Sequence, residues 1–105
     1  MNPILTGLVG LFEISFELSW KAMKELLQKS GVSAATTGSP KVIIKEAYAF
    51  GLIKDEQLWL GALTDRNNVA HAYNKKIALE IINNTKEKYV DMFITLQKEM
   101  ENDWA

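Results

Sequence analysis

Residues 75–102 read KKIALEIINNTKEKYVDMFITLQKEMEN, and in them Ile77, Ile81, Ile82, Thr85, Tyr89, Met92, Phe93, Leu96 and Met100 recur every third or fourth position. That spacing gathers side chains on one face of an α-helix. The stretch therefore predicts a helix that begins after Asn74, its N-cap, runs to about Asn102, and has one face to bury. Such a face needs others to pack against, and the segments before it carry them.

Asp55 caps a preceding helix whose Leu58, Trp59, Ala62 and Leu63 are apolar and which delivers Asp65, Arg66 and Asn67 near its far end. Ser39-Pro40 pairs a capping residue with proline at the first helical position, opening a helix through Phe50 that Gly51 ends. Its core candidates are Val42, Ile43, Ala47 and Phe50. Residues 32–38 are small and polar, have no period, and read as a loop. Asn2-Pro3 and Ser30-Gly31 bracket one long first helix, with Leu5, Leu8, Phe12, Phe16, Leu18, Met23, Leu26 and Leu27 in a broad stripe and Glu13, Glu17, Lys21, Lys24 and Glu25 to its sides. Gly7 and Gly10 weaken its first turns by about 1 kcal/mol each relative to alanine. No run alternates like a strand, so the expected fold is all-α, an up-and-down antiparallel helical bundle of one domain spanning 1–105.

Composition narrows the chemistry. Lys and Arg number 12 against 13 Asp and Glu, a net charge of −1, so there is no overall basic field and any contact with RNA must be local. The chain has no cysteine and one histidine, which leaves no disulfide, no thiolate metal site and no histidine-rich zinc site, and suits a reducing cytoplasm. No metal and no cofactor is expected. Glu13 and Glu17 stand at i,i+4, but di-metal bundles also use Glu-x-x-His motifs that are absent, so both glutamates are expected on a solvated surface. Residues 1–12 are apolar yet lack the positive flank and cleavage site of a signal peptide, and a bilayer span takes about 20 residues. No membrane contact is expected. Trp20, Trp59, Tyr89 and the phenylalanines are expected to pack in the core or at an interface.

The chain's one arginine and one histidine both lie in Asp65-Arg66-Asn67-Asn68-Val69-Ala70-His71-Ala72-Tyr73. Arg66 offers a permanent charge and a planar fork of donors for phosphate, and His71 can serve as acid or base near neutral pH. On an unbroken helix Arg66 and Tyr73 share a face while His71 sits about 140° from Arg66. Convergence therefore requires the helix to end near His71, where the Asn74 cap puts a turn, or a second copy of the chain. Lys75 and Lys76 follow and could meet a phosphate backbone. The plainer alternatives are a salt bridge from Arg66 to Asp65 or a nearby glutamate, and a capping role for His71.

Arg66-x4-His71-x-Tyr73 resembles the Arg-x4-6-His signature, in its Arg-x4-His-x-Tyr form, of the HEPN helical domains. The block from Phe12 to Lys21, Phe-Glu-x-x-Phe-Glu-Leu-x-Trp-Lys, together with Ser39-Pro40, Glu46-Ala47, Gly51-Leu52-Ile53 and Trp59, is similar to the "nucleotidyltransferase substrate-binding protein" branch of that group. The likeness runs from about Phe12 to about Tyr89. That family usually has a further helix before the Phe-Glu block, and eleven residues precede Phe12 here, so the four-helix-bundle-like fold is expected with a shortened N-terminus. Ile4, Leu5, Leu8 and Val9 are then expected against a second subunit.

The resemblance implies a helical partner subunit in a two-component system with a minimal nucleotidyltransferase. This chain lacks that enzyme's own Gly-Ser motif and spaced Asp pair. On this expectation Asp65, Asn67, Tyr73, Lys75 and Lys76 bind nucleotide or RNA phosphate, or in the case of Tyr73 accept adenylate. The alternative implied is a metal-independent ribonuclease toxin with Arg66 and His71 as catalytic residues, working as a homodimer or higher oligomer and neutralised by the nucleotidyltransferase.

Overall fold

Proline at position 3 starts the first helix where its missing N–H costs nothing, and Asn2 Oδ1 accepts the Ile4 N–H at 2.7 Å. From there α1 (Pro3–Lys29) runs for 27 residues to a stop at Ser30-Gly31. The computed structural model describes residues 2–103; Met1, at the head of the apolar opening run, and Trp104 and Ala105 lie outside them. At 1.5 Å per residue α1 is about 40 Å long. It therefore sets the long axis of a body measuring 44 × 26 × 20 Å.

After α1 come α2 (Pro40–Phe50), α3 (Glu56–Asn67), α4 (Lys75–Asn84) and α5 (Val90–Asp103), and α1 packs against all four. A π turn (Thr85–Tyr89) joins α4 to α5 in one rod, so four helical rods make the bundle, with no strand among the described residues. Asp55 Oδ1 caps α3 by accepting the Leu58 N–H, and Asn74 Oδ1 caps α4 by accepting from Lys76 and Ile77. Gly51 ends α2 with φ 88°, a conformation that side-chain-bearing residues avoid. Ser39 precedes α2 without a side-chain cap bond, so the fixed φ of Pro40 marks that start. No helix among the described residues is long and apolar enough to cross a membrane.

Val42, expected in the core, is 39% exposed, and Ile44 on the inner face of α2 is buried instead. The elements themselves depart from the expected pattern in two places. Residues 32–38 are not all loop: Ser33–Thr36 form a single 3-10 turn because Ala35 is drawn into the core. The last rod is not a regular α-helix either. Ile81 and Tyr89, eight positions apart, would sit about 80° from each other on an unbroken α-helix. The π turn takes in an extra residue and rotates Tyr89 back, so both are buried.

The core is a run of aromatic rings. Phe12 and Phe16 of α1 lie 6.3 Å apart, Phe12 stacks on Tyr89 at 5.3 Å, Phe16 meets Trp59 of α3 at 6.2 Å, and Trp59 meets Phe93 of α5 edge-on at 5.9 Å. These contacts fix α3 and the π turn on α1, as expected for packing aromatics. Val9 joins this core, so of the residues expected against a second subunit only Ile4 and Leu8 stand exposed. Around α1 three faces follow from the sequence. Val9, Phe12, Phe16, Met23 and Leu27 point inward, while Ile4, Leu8, Leu11 and Leu18 form an exposed apolar stripe on one flank. Thr6, Gly10, Glu13 and Glu17 occupy the other flank, about 150° from the stripe.

Candidate functional site

The chain between Arg66 and Tyr73 is not an unbroken helix. α3 stops at Asn67, Asn68–His71 form a 3-10 turn, and the chain turns again before the Asn74 cap. The helix ends four residues before His71, so the wheel separation of Arg66 and His71 no longer holds.

Arg66 reaches across to α1, where its Nη2 pairs with Glu17 Oε1 at 2.5 Å, while Nη1 donates to Asn67 Oδ1 at 3.3 Å. The other Glu17 oxygen accepts from the Trp20 indole at 3.1 Å. Glu17 is thus not on a solvated surface: its side chain keeps 26% of its exposure, and Oε1 is shut off from water without a well-directed hydrogen bond. Charge pairing with the guanidinium is what that oxygen has in place of water. The plain salt-bridge alternative for Arg66 is realised, with Glu17 rather than Asp65. Arg66 remains about a third exposed and carries five N–H donors, so it has donors left for a phosphate.

Asp65 turns to the other side. Its Oδ2 accepts from the Tyr89 hydroxyl at 2.6 Å and from Asn84 Nδ2 at 3.0 Å, tying the end of α3 to the α4–π rod. Burial first, and then the hydrogen bond to the Asp65 carboxylate and its negative charge, push the Tyr89 phenol far above its ordinary value near 10. The folded value exceeds the unfolded one, so the unfolded chain loses this proton first as pH rises. Stability from this group is complete below about pH 10 and falls above it by about 1.4 kcal/mol per unit until the folded group also ionises. Tyr89→Phe should remove that slope from a plot of urea midpoint against pH between 9 and 11. Parallel curves for parent and variant would contradict it.

Tyr73 is 81% exposed and lines a recess of about 400 Å³ with Thr6, Val9, Gly10 and Glu13 of α1 and Val69 and Ala72 of the turn. His71 is exposed, and its imidazole makes no hydrogen bond or ion pair among the described residues. Lys75 and Lys76 are exposed in the first turn of α4, where the helix end adds its own partial positive charge beside Tyr73. The structure therefore lays Arg66, Asn67 and Tyr73 along one flank of α1. It leaves His71 on the connecting turn and takes Asp65 into the fold.

The family model described as "Nucleotidyltransferase substrate binding protein like" matches residues 2–102. The chain belongs to this nucleotidyltransferase substrate-binding-like family. It is also similar to a protein described as "Probable ribonuclease HepT" from Haemophilus influenzae, at 33% identity over 82 residues, which is 76% of this chain and 56% of that protein. The chain thus matches little more than half the length of that curated relative.

Within this substrate-binding-like chain, sequence reasoning missed Glu17, Trp20 and Asn84 as neighbours of the motif. One signal was present: each glutamate of the Phe-Glu-x-x-Phe-Glu block follows a core phenylalanine by one residue, about 100° around the helix. A carboxylate at that phase borders the core, where a partner is needed.

Proposed function

We propose that this chain is the helical partner subunit of a two-component minimal nucleotidyltransferase system and offers Tyr73 as the acceptor of an adenylate group. What supports the proposal is an 81% exposed phenol just ahead of Lys75 and Lys76, on the same flank of α1 that Arg66 meets through Glu17, in a family described by nucleotidyltransferase substrate binding. In the transfer the Tyr73 oxygen would bond to the α-phosphorus of ATP, pyrophosphate would leave, and the phenolic proton would pass to a base of the enzyme. The three cations offset the phosphate charge, and Asn67 supplies a neutral donor. The exposed stripe of Ile4, Leu8, Leu11 and Leu18, continued by Val90 and Ile94, is the face on which we place a homodimer contact. It leaves Tyr73 outward and open to the enzyme. The absence of cysteine suits a cytoplasmic setting.

Co-expression with a minimal nucleotidyltransferase, followed by intact mass, tests this. An adenylate-sized gain is expected in the parent and none in Tyr73→Phe. No gain, or a gain that survives the substitution, rejects Tyr73 as acceptor.

A second function is favoured by the ribonuclease description of the relative and by the unpartnered imidazole of His71. Cleaving RNA through its own 2′-OH needs a base for that proton, an acid for the leaving oxygen, and a cation for the charge on phosphorus. Arg66 fits the last role and His71 one of the first two at a time, so two chains packed motif to motif, through a contact other than the leucine stripe, would complete the set. Adenylated Tyr73 would put negative charge and bulk beside Arg66 and exclude RNA, making the nucleotidyltransferase an antitoxin.

A further inference from the structure

We propose that the recess beside Tyr73 is a nucleobase subsite that selects guanine. The inference rests on the second function, in which Arg66 meets an RNA phosphate, and it deepens that function by naming the RNA base that lies beside the phosphate. Three features of the lining carry it.

Val9, Val69 and Ala72 give apolar walls, and the exposed Tyr73 ring stands at the rim, a combination that takes a flat base by burial and stacking. Gly10 keeps the floor open: a Cβ built there meets nothing within 4 Å. Glycine inside a helix costs about 1 kcal/mol relative to alanine, so the room is kept at the expense of α1. Glu13 supplies the polar contact. Glu13 lines the recess, and its carboxylate has no hydrogen bond or ion pair among the described residues.

A carboxylate only accepts, through two adjacent oxygens. Guanine presents two adjacent donors on its pairing edge, N1–H and the N2 amino group, and matches it on both. Adenine and cytosine present one amino donor beside an acceptor nitrogen. Uracil presents a single N–H between two carbonyls that a carboxylate repels. Glu13 lies one helical turn, about 6 Å, from Glu17, which holds Arg66. A base in the recess therefore leaves its phosphate free to reach toward the guanidinium.

Titrating guanosine and uridine monophosphates separately into the whole chain, followed by NMR shifts of the recess residues, tests the assignment without requiring turnover. The guanine nucleotide is expected to bind roughly tenfold more tightly, and Glu13→Gln should bring the two affinities close together. Gly10→Leu should block both nucleotides without lowering the melting temperature, since the added side chain enters open space on a helix. Equal affinities in the parent, unchanged selectivity in Glu13→Gln, or undiminished binding in Gly10→Leu would each overturn the subsite. Selective guanine binding without RNA cleavage would leave the subsite standing and remove the nuclease function. Cleavage with no base preference in binding would do the reverse.

Discussion

If the chain is the nuclease of the second proposal, RNA cleavage in EDTA should fall by roughly 10²–10⁴-fold when His71 becomes alanine, the span that a positioned acid or base contributes. The imidazole is exposed and its side chain has no partner among the described residues, so its removal should leave the melting temperature unchanged. Arg66→Ala should lower the rate by about 10²–10³-fold through loss of charge stabilisation. That substitution also strands the shielded Glu17 oxygen, a cost to the fold that could pass for a catalytic effect. Arg66→Ala combined with Glu17→Gln removes the stranded charge. If the double variant regains stability and still does not cut, the guanidinium acts on RNA; if it cuts like the parent, Arg66 is structural. Parent protein that never cuts RNA in EDTA would exclude the nuclease altogether.

Phe16→Ala should cost about 3–5 kcal/mol, the usual loss for a buried phenylalanine. The side chain is fully buried and its ring meets both Phe12 and Trp59, so the hole would open where α3 is held on α1. At about 4–8 °C per kcal/mol for a domain near this size, the melting temperature should drop by well over 10 °C. Lys21→Ala on the same helix, exposed and outside the leucine stripe, is the control and should change stability by less than about 0.5 kcal/mol. A Phe16→Ala loss as small as the control's would mean that the aromatic run does not hold the bundle.

Local chemistry made the helix ends legible. Asn2-Pro3, Asp55, Asn74 and Gly51 mark boundaries through contacts within four residues, and the structure has them there. Most of the aromatic core was legible because period alone places Phe12, Phe16 and Trp59 inward. The partners of the motif were not. Glu17 and Arg66 lie on different helices, and their meeting depends on how α3 crosses α1, which no local pattern encodes. Asp65 looked like a ligand for phosphate chemistry, but its carboxylate is engaged by Tyr89, a residue that the π turn swings into reach. Such a turn is a slip in phase, visible in sequence only as an 80° mismatch between Ile81 and Tyr89.

Because α1 carries its bare leucines on one flank and Glu13 and Glu17 on the other, two copies zipped leucine to leucine would bear their tyrosines at opposite poles. Each pole would load without regard to the other, and enzyme would attach in a two-to-two stoichiometry. Half-modified pairs would then appear in the binomial proportion, a statistical signature that a shared central cleft could not produce.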